Sequence, residues 1–281
     1  MNSTKIKLGL SFLIILTIAV TVEGAIGVST LGVWVTIPAG KTVTGTLTFI
    51  NYHEEETRLV IKLCDWKRLE NGENVLLEPN STPNSLTPNI KIEPEEALMG
   101  PGESQKFKYE ITMPEDAVGA RWGAILAVPK RRLTRQTDSS KNGEEELSLN
   151  ELVPYGFTVK IWALEPTTAA PSAKVNSLKS VKTEGDESAI KLELVFENTG
   201  NVPLRPKGSL KLFNSEEKEI ADYNIDKFGV LPDSKRTITI PDTGIILPEG
   251  EIRAELNLTY SNKKNVKKEI LLTGTPVENN K

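Results

Sequence analysis

Gly45-Thr46-Leu47-Thr48-Phe49-Ile50-Asn51 decides the reading of this chain, because Leu192-Glu193-Leu194-Val195-Phe196-Glu197-Asn198 repeats its design. Each stretch is strand-like and ends on asparagine. Downstream of the first come the turn residues Pro101-Gly102-Glu103-Ser104, the alternating run Phe107-Lys108-Tyr109-Glu110-Ile111, and Pro114. Downstream of the second come Pro232-Asp233-Ser234, then Thr237-Ile238-Thr239-Ile240, and Pro241. An internal repeat bears on architecture before any residue is given a role. This one predicts two related all-β units and directs attention to sheets and loops rather than to a catalytic centre.

The rest of the chain agrees. Short alternating runs recur at 33–37, 46–50, 58–63, 106–111, 122–128 and 157–164, then at 189–196, 209–213, 236–240, 252–260 and 266–272. Period-two alternation rich in β-branched residues and broken by Gly, Pro and Asn is the pattern of antiparallel sandwiches. No stretch after the N-terminus carries a long apolar stripe at helical spacing, and 114–117 predicts one short turn at most. Lys5 and Lys7 followed by the apolar stretch 8–22 read as a signal segment, too short for a spanning helix. The expected fold class is therefore all-β, with two tandem immunoglobulin-like β-sandwich domains after an N-terminal signal segment. Residues 1–25 form the signal peptide or N-terminal anchor, 26–166 the first domain, 167–171 a linker and 172–277 the second domain. The first domain also carries an extra segment at 67–89, whose Asn71-Gly72 predicts a tight turn within a hairpin or long loop.

Composition narrows the function. The 281 residues have a formal net charge of −4, which gives no reason to expect nucleic-acid binding. All four tryptophans (Trp34, Trp66, Trp122 and Trp162) belong to the first domain, which predicts a larger core or a busier surface there. The single cysteine, Cys64, cannot form an internal disulfide and reads as a small buried residue. The single histidine, His53, precedes Glu54-Glu55-Glu56 and reads as a surface residue. With one of each, no Cys-His pair or paired-histidine metal site can be built. No Ser-His-Asp arrangement is visible either, so the expectation is a non-enzymatic protein without a cofactor.

Several segments together resemble a known family. They are 45–51, Ile61-Lys62-Leu63-Cys64-Asp65-Trp66, Ile92-Glu93-Pro94 with the 101–104 turn, and 114–125. In the second half they are Glu197-Asn198-Thr199-Gly200-Asn201-Val202 and Arg205-Pro206-Lys207-Gly208. These resemble the tandem immunoglobulin-like proteins related to periplasmic pilus chaperones, and are also similar to Gram-positive surface proteins that accompany WxL-type cell-wall proteins. The resemblance implies an exported chaperone for assembly of pilus-like structures, located in the periplasm or at the cell surface. Its partners would be extracytoplasmic protein subunits or surface proteins. Nucleic acid is not expected, and the membrane enters only through an uncleaved N-terminal segment.

In pilus chaperones the last strand of the first domain lends alternating apolar residues to an incomplete subunit. The equivalent here is 154–163, where Tyr155, Phe157, Val159 and Ile161 share one face. Either these residues fill the sandwich core or they are donated to a partner. Pilus chaperones also clamp the subunit's C-terminal carboxylate with a basic pair, one member on the first strand and one on the donor strand. Lys160 stands for the second member, but 26–37 holds no Lys or Arg, so a paired geometry is missing. The preceding connection, 129–150, is long and polar, as functional or disordered loops are. Its Lys130, Arg131, Arg132 and Arg135 are candidate contacts for an anionic polymer or headgroup. Two alternatives stand beside the chaperone reading: a cell-surface structural adaptor, and a cell-wall or carbohydrate-binding module using the tryptophans as a platform.

Overall fold

The computed structural model describes residues 26–130, 157–183, 186–261 and 264–274. The expected signal segment, residues 275–277, most of the 129–150 connection with Arg131, Arg132 and Arg135, and Tyr155 lie outside the described residues. The first half contributes strands β1 (Ile26–Val28), β2 (Gly32–Thr36), β3 (Thr42–Asn51), β4 (Thr57–Arg68) and β5 (Asn74–Leu77). It continues with β6 (Ile90–Glu93), β7 (Glu96–Met99), β8 (Ser104–Thr112), β9 (Ala120–Lys130) and β10 (Phe157–Leu164). The second half contributes β11 (Ala173–Thr183), β12 (Asp186–Asn198), β13 (Lys207–Phe213) and β14 (Glu219–Ile225). It ends with β15 (Lys235–Ile245), β16 (Gly250–Ser261) and β17 (Lys264–Gly274). The one helical element among the described residues is a 3₁₀ turn, Thr87–Asn89.

These strands form two immunoglobulin-like sandwiches. The first packs a sheet of order β1-β3-β8-β6 against one of order β2-β10-β9-β4-β5, with β7 also paired to β4. The second packs β11-β12-β15 against β14-β13-β16-β17. Each sandwich has its own core. Ile37, Leu47, Phe49, Phe107 and Ile111 are fully buried in the first, as are Leu192, Leu194, Phe196, Leu210 and Leu258 in the second. The apolar positions of each strand alternate inward as the pleat demands.

The repeat in the sequence is a repeat in structure, and the two asparagines are its pivots. Asn51 is buried, and its Nδ2 donates to the carbonyls of Glu55 and Met99, both at 2.9 Å, while its Oδ1 accepts from His53 N–H at 3.0 Å. Asn198 is buried likewise. Its Nδ2 donates to Val202 O at 2.8 Å and Val230 O at 3.1 Å, and its Oδ1 accepts from Gly200 N–H at 3.0 Å. In both copies the amide satisfies carbonyls of a turn and a neighbouring segment that the sheet ladder cannot reach. The following turns bring the next strand back in register, pairing Ile50 with Ser104 and Glu197 with Lys235.

The extra segment at 67–89 begins as a hairpin in which β5 extends β4, with Arg68 opposite Asn74 across the Asn71-Gly72 turn. Its remainder is organised by Asp65, a buried carboxylate. Asp65 accepts from the N–H groups of Ser81 and Thr82 at 2.9 and 3.0 Å, and from the hydroxyls of Ser85 and Thr87 at 2.7 and 3.1 Å. Charge-assisted bonds of this kind offset the desolvation of a buried carboxylate.

Candidate functional site: the edge of β10 and the seam between the sandwiches

Strand β10 divides its side chains between two environments. Val159 and Ile161 are fully buried in the core of their own sandwich, and Phe157 packs against that core. The inward-facing side chains of β10 are thus taken up by its own core. Strand β2 runs parallel to β10 and pairs with it only from Lys160 opposite Gly32 onward. Lys160 N–H donates to Leu31 O at 3.1 Å. Amides two residues apart on a strand point to the same side. Thr158 thus directs its N–H and C=O away from β9, past the start of β2, where no strand pairs with it among the described residues. Leu31, at 66% exposure, borders this stretch of edge.

The opposite face of the same sheet is apolar too. Cys64 and Trp66 from β4, Trp122 and Ala124 from β9, and Trp162 from β10 form a separate cluster, against which Leu231 of the second sandwich packs. Trp66 and Trp122 are buried, and each satisfies its indole N–H on the other's strand: Trp66 Nε1 donates to Gly123 O at 3.2 Å and Trp122 Nε1 to Trp66 O at 3.0 Å. The tryptophan content of the first half thus builds a seam as well as a core. Burial on both faces leaves a trace in sequence: 122–128 is almost continuously apolar, as strands covered on two sides are.

Four cations gather at this seam. Lys160 Nζ lies 4.3 Å from the centroid of the Trp66 ring, and Arg68 Cζ lies 5.7 Å from it. From the second sandwich, Arg205 Cζ stands 4.3 Å over Trp34, and Arg236 Nη1 donates to Glu70 O at 2.9 Å. Burial, and then the charge of Arg68, hold the Lys160 ammonium below its ordinary pKa. Arg68 is held down by burial and by Arg236 and Arg205, and Arg236 by burial. Among the described residues no carboxylate stands within ion-pair distance of any of the four. The first strand offers Lys160 no basic partner, as the sequence indicates. The cation nearest to it in charge effect, Arg68, comes instead from β4, a strand separated from β10 only by β9.

Other expected residues fall elsewhere. Trp34 is 49% exposed, but it stacks on Trp162 with centroids 4.1 Å apart and planes 10° apart. The Arg205 guanidinium has room only over its other face, so Trp34 offers a partner its edge and no open ring face. Lys130 ends β9 on the surface, opposite Arg58. Cys64 is buried, and burial followed by the Asp65 charge pushes its thiol up to about 11, a poor nucleophile. His53 is half-buried beside Asn51, which uses its main-chain N–H.

No family model and no curated protein matches the chain. Solved structures do. One is a chain of the CsuC–CsuE chaperone–tip subunit pre-assembly complex from the archaic chaperone-usher Csu pili of Acinetobacter baumannii. It is 11% identical, with 90% of this chain and 100% of that chain covered and a TM-score of 0.42. The class 5 fimbriae chaperone CfaA gives 10% identity, the same coverages and a TM-score of 0.42. The E. coli chaperone DraB gives 13% identity over 89% of this chain and 97% of that one, with a TM-score of 0.38. The likeness is one of fold. The similarity to WxL-associated surface proteins rests on the sequence segments alone.

Proposed function

We propose that this protein is a non-enzymatic, exported assembly factor that binds extracytoplasmic protein subunits by edge-strand pairing in the periplasm. The observation that carries this reading is the junction of two unfilled features on one strand. Among the described residues, the first half of β10 has an unpaired main-chain edge at Thr158, and Lys160, two residues on, belongs to a cation cluster with no carboxylate at ion-pair distance. An added strand gains affinity from main-chain hydrogen bonds along such an edge. A carboxylate at the end of that strand, or on it, would relieve the repulsion among Lys160, Arg68, Arg205 and Arg236, and charge-assisted bonds to it would add specificity. Phe157 and Leu31 flank the pairing register, and Val159 and Ile161 hold β10 in place from the core side.

The test is co-purification of the tagged, exported protein from its native host, with the bound proteins identified by mass spectrometry. Wild type is expected to carry a stoichiometric small β-rich secreted subunit. Thr158→Pro removes the outward N–H at a position where an edge strand tolerates proline, and is expected to lose that subunit while staying folded. Equal retention by the folded variant would sink the edge-pairing mechanism.

A further inference from the structure

The β4–β5 hairpin reaches across the seam to the second sandwich. Its tip is closed by two main-chain bonds: Leu69 N–H donates to Glu73 O and Gly72 N–H to Leu69 O, both at 2.8 Å. Three further bonds from the second sandwich converge on Glu70. Thr237 N–H and Arg236 Nη1 both donate to Glu70 O at 2.9 Å, and Thr237 Oγ1 donates to Glu70 Oε1 at 2.8 Å. Thr237 lies on β15, the edge of the β11-β12-β15 sheet. Glu70 O therefore occupies a main-chain donor of the kind that edge strands otherwise present to other chains. Gly72, at φ +95°, sits so close to the Arg236 guanidinium that a Cβ there would collide with it, and Arg68 closes on Gly229 in the same way.

We infer that this hairpin is a latch. By capping the edge of β15 it fixes the orientation of the two sandwiches, and so holds Arg205 and Arg236 of the second against the tryptophans, Arg68 and Lys160 of the first. Two features favour a latch over a fused interface. Across the seam the apolar contact is small: Leu231 of the second sandwich packs on the tryptophan cluster, and Leu164 at the end of β10 packs against the second core. The Glu70 bonds are solvent-exposed. An interface that is not large and apolar leaves relative domain motion as the default once such bonds are released. Release of the hairpin frees Thr237 N–H and divides the cation set between two independently moving bodies. The inference concerns the free protein and stands whether or not the seam captures a subunit.

Pulsed electron–electron double resonance tests it on the full chain, with spin labels on cysteines introduced at the exposed positions Glu93 and Glu251, Cys64 being buried. The wild-type background is expected to give one narrow distance distribution. Arg236→Ala with Thr237→Pro removes all three bonds to Glu70, and its distribution is expected to widen about twofold or more as the sandwiches decouple. Circular dichroism establishes that the variant is folded. Should it fail to fold, Arg236→Ala with Thr237→Val keeps the main-chain bond and is expected to show a smaller but measurable widening. An unchanged width in whichever variant is folded overturns the latch.

Discussion

The turns that follow the two pivot asparagines are built alike and placed differently. In the first sandwich Pro101-Gly102-Glu103 is exposed, and Gly102 takes the left-handed conformation at φ +71°. In the second, Asp233 takes the same conformation at φ +53°, but the residues before it, Leu231 and Pro232, are buried. Leu231 is the residue that packs on Trp66 and Trp122. One local device thus serves as a solvent-facing loop in one copy and as an element of the seam in the other. Local sequence sets the turn, while the neighbouring surface decides its use.

The largest effects separate the two cores. Val159→Asp buries an unpaired charge in the first sandwich, and Leu194→Asp does so in the second, each at a cost of roughly 4 kcal/mol or more. Because all four tryptophans belong to the first sandwich, urea unfolding followed by fluorescence tells the two apart. Val159→Asp is expected to lose the native tryptophan signal, whereas Leu194→Asp should leave most of it. Identical curves would mean the two sandwiches unfold as one unit.

The pivots come next. Asn51→Ala and Asn198→Ala each strand buried carbonyls and one N–H, so each is expected to cost about 2–3 kcal/mol in its own sandwich. Near-neutral behaviour of either variant in calorimetry would break the equivalence of the two copies.

The linker adds a pH-dependent contribution. Buried Glu165 accepts bonds from the Thr168 hydroxyl at 2.6 Å and the Thr168 N–H at 2.8 Å, and from the Thr167 hydroxyl at 2.9 Å. These bonds, the Thr168 hydroxyl first, lower its pKa to about 2 against an ordinary 4.5. A depressed carboxylate contributes stability that is complete above its unfolded pKa and lost as pH falls through its folded one. Unfolding measured from pH 6 to pH 2 should therefore show a decline between about 4.5 and 2 that Glu165→Gln makes shallower. Parallel curves for both proteins would place the acid sensitivity elsewhere.

The smallest effect exchanges the turn residues. Asp233→Gly relieves a left-handed backbone and is expected to stabilise by about 0.5–1 kcal/mol, while Gly102→Asp should cost about 1 kcal/mol. Opposite shifts in midpoint would confirm that the two turns share a conformation.

Much of the fold was legible in the sequence, because alternation and turn chemistry are local. The runs at 46–51 and 192–198 became β3 and the end of β12, and Asn71-Gly72 closed the hairpin it predicted. The candidate site was legible only in part. That Phe157, Val159 and Ile161 share a face follows from the pleat, but which body fills that face does not, and here it is their own core. The cation cluster draws on residues 68, 160, 205 and 236, whose proximity depends on strand order and on how one sandwich sits against the other. No spacing rule encodes that. The near-continuous apolar run at 122–128 was the one available sign that its sheet is covered on both faces.

The most direct measurement of the central claim pairs stability with binding in Lys160→Met, alongside Thr158→Pro. Burial and Arg68 already disfavour the Lys160 charge in the folded protein. Replacing it by an uncharged side chain of similar length is therefore expected to leave the free protein as stable as wild type, or more stable by less than about 1 kcal/mol given its partial exposure. In the same preparation, the subunit retained by wild type is expected to be lost from both variants. A folded Lys160→Met protein that keeps its subunit as firmly as wild type would contradict the account, because the cation cluster would then have no part in capture.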